Sequence, residues 1–221
     1  MNQTAIESLN IGLPKKEVFH GREIVTGICK VPVSGPIVLG ELGFEGDGVG
    51  DLKHHGGPDK AVCVYSADHY PYWENVFGTR LPSAPFGENL PVSGLREDEV
   101  RIGDVFKLGT AVVQVSQPRQ PCGTLAIRYG RADIIPLVLD SGRTGFYLRV
   151  LEEGVVERSS PFALKERASQ GITIAFANRI RHHDRENREA IEAVLEVRAL
   201  SASWRCVFED LLKKLSVSGS S

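Results

Sequence analysis

One cysteine in this chain stands where a thiolate is favoured. Cys122 closes Gln117-Pro118-Arg119-Gln120-Pro121-Cys122, between a strand-like run and a short helical one. Pro121 suits the first position of a helix, where its missing N–H costs nothing. Cys122 then falls in the first turn, beside Arg119 and near the positive end of the helix dipole. Both neighbours lower a thiol pKa. The same residue also reads as a small buried hydrophobe, a common place for free cysteine. A second chemical cluster lies upstream. Lys53-His54-His55-Gly56-Gly57 sets cationic and hydrogen-bonding groups beside two flexible backbone amides, a pattern suited to a phosphate. A solvated loop carrying exposed histidines fits the same residues. Asn89, in Gly87-Glu88-Asn89, either faces a ligand or makes a turn.

The elements that position these groups are mostly strands. From Leu9 to Leu39, short apolar segments alternate with Gly and Pro, and no helical period appears. That pattern predicts an antiparallel meander, with strands at Glu17–Phe19, Glu23–Val25, Gly27–Cys29 and Ile37–Leu39. Ala61–Tyr65 reads as a buried strand, with Cys63 in the core. A helix to Phe77 comes next, capped by Asp68, with Tyr70, Trp73 and Phe77 on one face. The alternating run Ala111–Ser116 is the strand that delivers the cysteine loop. Asp133 caps another helix, and Gly145–Val150 and Phe162–Leu164 close the β part. After Arg167 the period changes. Thr173 and Ser201 cap helical segments, with a third helix through Glu189–Leu195, and Cys206 is expected to pack among them. The basic stretch Arg179–Arg185 reads as a solvated face or a docking surface.

Composition excludes several classes. The 221 residues carry a net charge of −2, which gives no bulk attraction to nucleic acid polymers. No apolar run reaches the ~20 residues that span a bilayer, and Met1–Asn10 lacks the order of a signal peptide. The four cysteines are scattered without a CxxC pair, which fits a reducing compartment and a cytoplasmic location. Gly46-x-Gly48-x-Gly50 is not a dinucleotide fingerprint, and no cysteine cluster suits iron–sulfur.

Taken together and in order, five motifs resemble one family. They are Gly46-Asp47, Lys53-x-His55-Gly56-Gly57-Pro58-x-Lys60-Ala61, Tyr65-x-x-x-His69-Tyr70-x-x-Trp73, Phe86-Gly87-Glu88-Asn89-Leu90 and Val115-Ser116-Gln117-Pro118-Arg119-x-Pro121-Cys122. The set resembles the MOSC (molybdenum-cofactor sulfurase C-terminal) domain, in its stand-alone YiiM-like branch. The resemblance implies a mainly β fold: a MOSC β-barrel-like domain with a few helices over 1–167, a small three-helix domain over 168–216, and a disordered tail over 217–221. It implies a molybdenum cofactor (molybdopterin), with Cys122 as catalytic residue and molybdenum ligand. Lys53, His55, Gly56, Asn89 and Arg119 are implied to hold the pterin and its phosphate, and His54 matches the family pattern less well. The implied activity is reduction of N-hydroxylated compounds such as hydroxylaminopurine base analogues, a detoxification. Lacking its own flavin or nicotinamide motif, such an enzyme takes electrons from an external flavoprotein-type donor, with the C-terminal helices as a candidate docking site. A homodimer stays open. Two other readings use the same residues: a persulfide-carrying sulfur-transfer protein built on Cys122, and a non-catalytic cofactor-binding protein.

Overall fold

The computed structural model describes residues 4–218, without the side chains of Lys53 and Ser218. The opening forms β1 (Ala5–Ile6), β2 (Asn10–Ile11), β3 (Lys15–Phe19), β4 (Arg22–Thr26), β5 (Val31–Pro32), β6 (Ile37–Gly40) and β7 (Gly43–Phe44). A single helical turn, α1 (Leu52–His55), precedes β8 (Val62–Ser66), α2 (Tyr70–Phe77), β9 (Leu90–Ser93), β10 (Val105–Leu108) and β11 (Ala111–Pro118). Next come α3 (Gly123–Tyr129), α4 (Ile134–Ser141), β12 (Phe146–Glu152), β13 (Gly154–Val156) and β14 (Phe162–Glu166). Three helices end the chain: α5 (Ile174–His182), α6 (Arg188–Leu195) and α7 (Ala202–Ser218).

Seven strands build the main barrel-like sheet, in the order β1-β9-β8-β12-β11-β10-β14. Only β8 and β9 run parallel, because α2 and a loop carry the chain back between them. Its interior holds Val62, Val64, Leu90, Val113, Val115, Phe146 and Leu148, all within one apolar cluster. That cluster continues into Ile174, Ala177, Ile191, Trp204 and Phe208 of the C-terminal helices. The three-helix unit is therefore packed on the sheet, and its amphipathic faces are buried there. A second cluster joins Tyr65, Trp73 and Phe86 to Leu125 of α3 and Val138 of α4. The mainly β architecture with a helical C-terminal unit is as the sequence leads one to expect.

Several local expectations change. The opening is not one meander: β2 pairs with β5, β3 with β4, and β6 with β7 and β13. The prolines and glycines between the runs break them into separate small sheets. Gly27–Cys29 forms no strand. Thr173 caps α5 as expected, its Oγ1 accepting from Phe176 N at 3.0 Å. Asp68 does not cap α2; Asp133 holds the cap position of α4 as expected, though its side chain bonds no helix N–H. Asp68 instead accepts from Gly94 N at 3.2 Å, and Asp133 pairs with Arg131 at 2.6 Å. α7 continues to Ser218, so Val217 and Ser218 are helical, and 219–221 lie outside the described residues. Cys206 is exposed on α7 and does not pack.

Candidate functional site

The two chemical clusters meet in one cavity of about 980 Å³. Its walls include α1, the start of β8, the Phe86–Asn89 turn, the loop from Gln117 to Thr124, and the first turn of α7. A bulge in β11 steers the loop there. The β11–β12 register shifts between Val115 and Gln117, and Ser116 Oγ turns aside to donate to Asp59 O at 2.5 Å. A bulge of this kind bends a strand and re-aims the chain beyond it.

Cys122 is the cap of α3 and lies just before the helix, a correction to the first-turn placement expected from Pro121. Its backbone is extended (φ −121, ψ 167), and its carbonyl accepts from Leu125 N at 2.9 Å. Pro121 thus lies outside the helix. Burial pushes the Cys122 thiol up, but a hydrogen bond from His55, the charges of His55 and Arg119, and a hydrogen bond from Thr124 outweigh it. The net result is a thiol pKa lowered from 9.0 to about 6. The His55 contact could not be read from a sequence separation of this size. His69, the other histidine in the motifs, is elsewhere: its Nε2 lies 2.7 Å from Glu97 Oε2.

Arg119 is 5% exposed and has an unusual inventory of partners. Nη2 donates to Phe86 O at 2.6 Å, while Nη1 is buried with no acceptor. Burial works against its charge, and Cys63, Tyr147, Cys122 and Glu88 around it raise its pKa on balance. Glu88 holds the turn that meets it. Its carboxylate is fully buried, accepting from Tyr70 Oη at 2.5 Å and from Phe86 N at 2.8 Å. Burial pushes the Glu88 carboxyl up, opposed by those hydrogen bonds and by Arg119.

The remaining expected residues divide. Gly56 lines the cavity, and a Cβ there would lie 2.8 Å from Leu52 O, so the α1 turn closes only over glycine. His54 lines it too, with Nδ1 bound to Asp51 Oδ2 at 2.7 Å. Asn89 lines the cavity, but its amide serves the protein. Oδ1 accepts from Cys63 N at 3.0 Å, and Nδ2 donates to Asn10 O at 3.1 Å and Asp47 Oδ2 at 2.8 Å. Lys53 lies in α1, and its side chain is outside the described part. Among the further lining groups, Asp47 and Lys60 belong to the quoted motifs, whereas Lys30, Arg181 and Trp204 escape them. A buried ion pair joins Lys30 to Asp47, Lys60 Nζ donates to His54 O at 2.8 Å, and Arg181 and Trp204 enter from the helical unit. A lysine inside the apolar run Ile28–Val31 was the one signal for the first. Cys63 is core as expected, with burial pushing its thiol up to about 11.

A family model described as the MOSC domain matches residues 51–161. This chain belongs to the MOSC family. A second model, the YiiM-like, 3-alpha helix domain, matches residues 172–215, on α5 to α7. The crystal structure of YiiM from Geobacillus stearothermophilus superposes with a TM-score of 0.81 at 40% identity, covering 95% of this chain and 99% of that one. YflK, an uncharacterized protein of Bacillus subtilis (strain 168), is 52% identical over 204 residues, 92% of each chain. A Gibberella moniliformis protein named Reductase is 34% identical over 155 residues, 66% of this chain and 27% of that protein.

The donors of this MOSC site decide which ligands it can hold. Among the described residues no three His, Cys, Asp or Glu side chains converge on a point, so the protein alone builds no metal cage. A single thiolate is a soft donor for a metal whose other ligands arrive with it. The orphaned Arg119 Nη1 asks for an anion, since a buried guanidinium donor left unmatched is costly. The donor set therefore fits a metal carried by an anionic organic ligand. No helix among the described residues is long and apolar enough to cross a membrane.

Proposed function

We propose that this protein is a molybdenum-cofactor oxidoreductase that reduces N-hydroxylated compounds, hydroxylaminopurine base analogues among them, and so removes them. The observation that carries the reading is the single cavity in which a lowered Cys122 thiol, His55 and the unmatched Arg119 Nη1 come together. The relative named Reductase supports it. In this reading Cys122 holds molybdenum, while Arg119, His55 and Gly56, with Lys53, hold the pterin and its phosphate. Asn89 acts indirectly, by fixing Asp47 and the Cys63 backbone. When bound, the cofactor supplies the two-electron chemistry that amino-acid side chains lack.

The chain's own residues bind and orient. His55 keeps the Cys122 sulfur anionic, which is the form that ligates. Phe86 O accepts from Arg119 Nη2, and Glu88 anchors Phe86 through its backbone N–H, which holds the Arg119 fork in place. Electrons come from a separate flavoprotein-type donor. The test compares wild type with Cys122→Ser, both produced in a cofactor-making host. Serine is a good helix cap, so the fold should survive. Stoichiometric molybdenum and pterin in wild type, molybdenum lost in the variant, and turnover of hydroxylaminopurine with an artificial reductant are the expected results. Loaded wild type without turnover sinks the reductase reading. Absence of molybdenum, with a labile persulfide on Cys122, would put sulfur transfer in its place.

A further inference from the structure

We infer that the three-helix unit supplies a phosphate-binding wall of the cavity: Arg181, stacked on Trp204, takes a phosphate group of the molecule that fills it. Both residues line the cavity, and the Arg181 guanidinium carbon lies 4.5 Å from the centre of the Trp204 ring. Stacking holds the planar fork in a fixed orientation. The wall itself is fixed to the β part. Ser201 N donates to Ser116 O at 3.0 Å, Ala202 N to Asp59 Oδ2 at 3.2 Å, and Ser203 Oγ to Gln117 Oε1 at 3.1 Å. The bonds to Ser116 and Gln117 tie the first turn of α7 to the strand that delivers Arg119 and Cys122, and the bond to Asp59 ties it to the turn before β8.

Two donors on this wall have nothing to donate to. Among the described residues the Arg181 guanidinium makes no ion pair or hydrogen bond, and it lies over the indole face. Burial and the neighbouring Arg185 charge both disfavour its charged form. Trp204 Nε1 is buried without an acceptor, in a side chain only 1% exposed. A half-buried cation beside a second cation, with an orphaned N–H at hand, is costly until an anion arrives. A phosphate offers several acceptor oxygens to the fork and to a further donor. Binding of phosphate does not depend on the reductase reading. Only the source of the phosphate, substrate or cofactor, rests on it.

The test titrates inorganic phosphate into cofactor-free and cofactor-loaded protein, read by calorimetry and tryptophan emission. Of the two tryptophans, Trp73 is tied to Tyr65 Oη at 2.6 Å in the second cluster, so Trp204 is the reporter. Saturable binding to cofactor-free wild type is expected. Arg181→Met, which keeps an apolar stem over the indole, should weaken it roughly 10- to 100-fold, the worth of a charge-assisted pair. Arg181→Lys should fall between, and Trp204→Phe should lose the emission change. If loaded protein no longer binds added phosphate, the cofactor's phosphate fills the wall; if it still binds, the wall is left for a phosphorylated, nucleotide form of the substrate. The inference is overturned if cofactor-free wild type shows no saturation up to about 10 mM, if acetate binds equally, or if Arg181→Met binds like wild type. Should the methionine variant unfold, unchanged binding in Arg181→Lys overturns it. Molybdenum content and turnover are separate readouts, so failure here leaves the reductase reading standing.

Discussion

The partnership of His55 and Cys122 makes a quantitative demand on thiol reactivity. With a pKa of about 6, Cys122 is roughly 90% thiolate at pH 7, whereas at the ordinary 9.0 it would be about 1%. Nearly two decades of reactivity therefore separate the two settings. His55 is the leading influence that lowers the thiol, followed by Arg119 and Thr124, while burial acts the other way. Replacing His55 by Gln removes the charge and leaves burial, so the midpoint must rise. We expect the iodoacetamide rate at Cys122 to fall about tenfold at pH 7, half of the gap on a logarithmic scale. The sign fixes the shape of the profile. Alkylation tracks the thiolate, so the wild-type rate climbs through a midpoint near 6, the variant climbs at higher pH, and the two converge in alkali. Peptide-resolved mass spectrometry on cofactor-free protein measures this across the pH range. An inflection near 6 in His55→Gln would show that the thiolate owes nothing to His55.

Three other outcomes are expected. In the same alkylation experiment Cys206, exposed on α7, should be open to the reagent in the folded protein, and Cys63, pushed up to about 11 by burial, should stay unmodified until the protein unfolds. Glu97 is buried, with Oε2 2.7 Å from His69 Nε2 and Oε1 accepting from Gly145 N at 2.8 Å. Glu97→Ala strands both partners and should cost about 3–5 kcal/mol, seen as a lower urea midpoint at unchanged slope. Gly145 has φ +73, and a Cβ there would lie 2.5 Å from Val64 O. Gly145→Ala should lower the Tm by roughly 5–15 °C, from about 2–4 kcal/mol of strain and overpacking. It should also loosen Arg119, whose N–H is bonded to Gly145 O at 3.0 Å. A melting temperature within a degree or two of wild type would count against that reading.

Local chemistry was legible residue by residue. Alternation marked β11 and β12, and hydroxyl caps marked α5 and α7, because these depend on neighbours a few positions apart. The cysteine loop and the Lys53–Gly57 segment stood out as chemical for the same reason. Asp133 holds its expected cap position, yet Arg131 takes its carboxylate, and the Asp68 carboxylate turns to Gly94 N instead of a helix.

By itself the sequence determined the family, the β-then-helical order of the chain, and Cys122 as the central thiol. Tertiary structure alone decided which groups surround that sulfur. His55 reaches it rather than His69, and Asn89 spends its amide on the protein. Trp204 and Arg181, more than fifty residues away in sequence, close the same cavity, and Arg181 does so although its basic stretch read as a solvated face or a docking surface. The reason is physical. Spacing along a chain specifies a helix face or a strand edge, whereas desolvation, charge and the matching of buried donors depend on the groups that the fold brings from elsewhere.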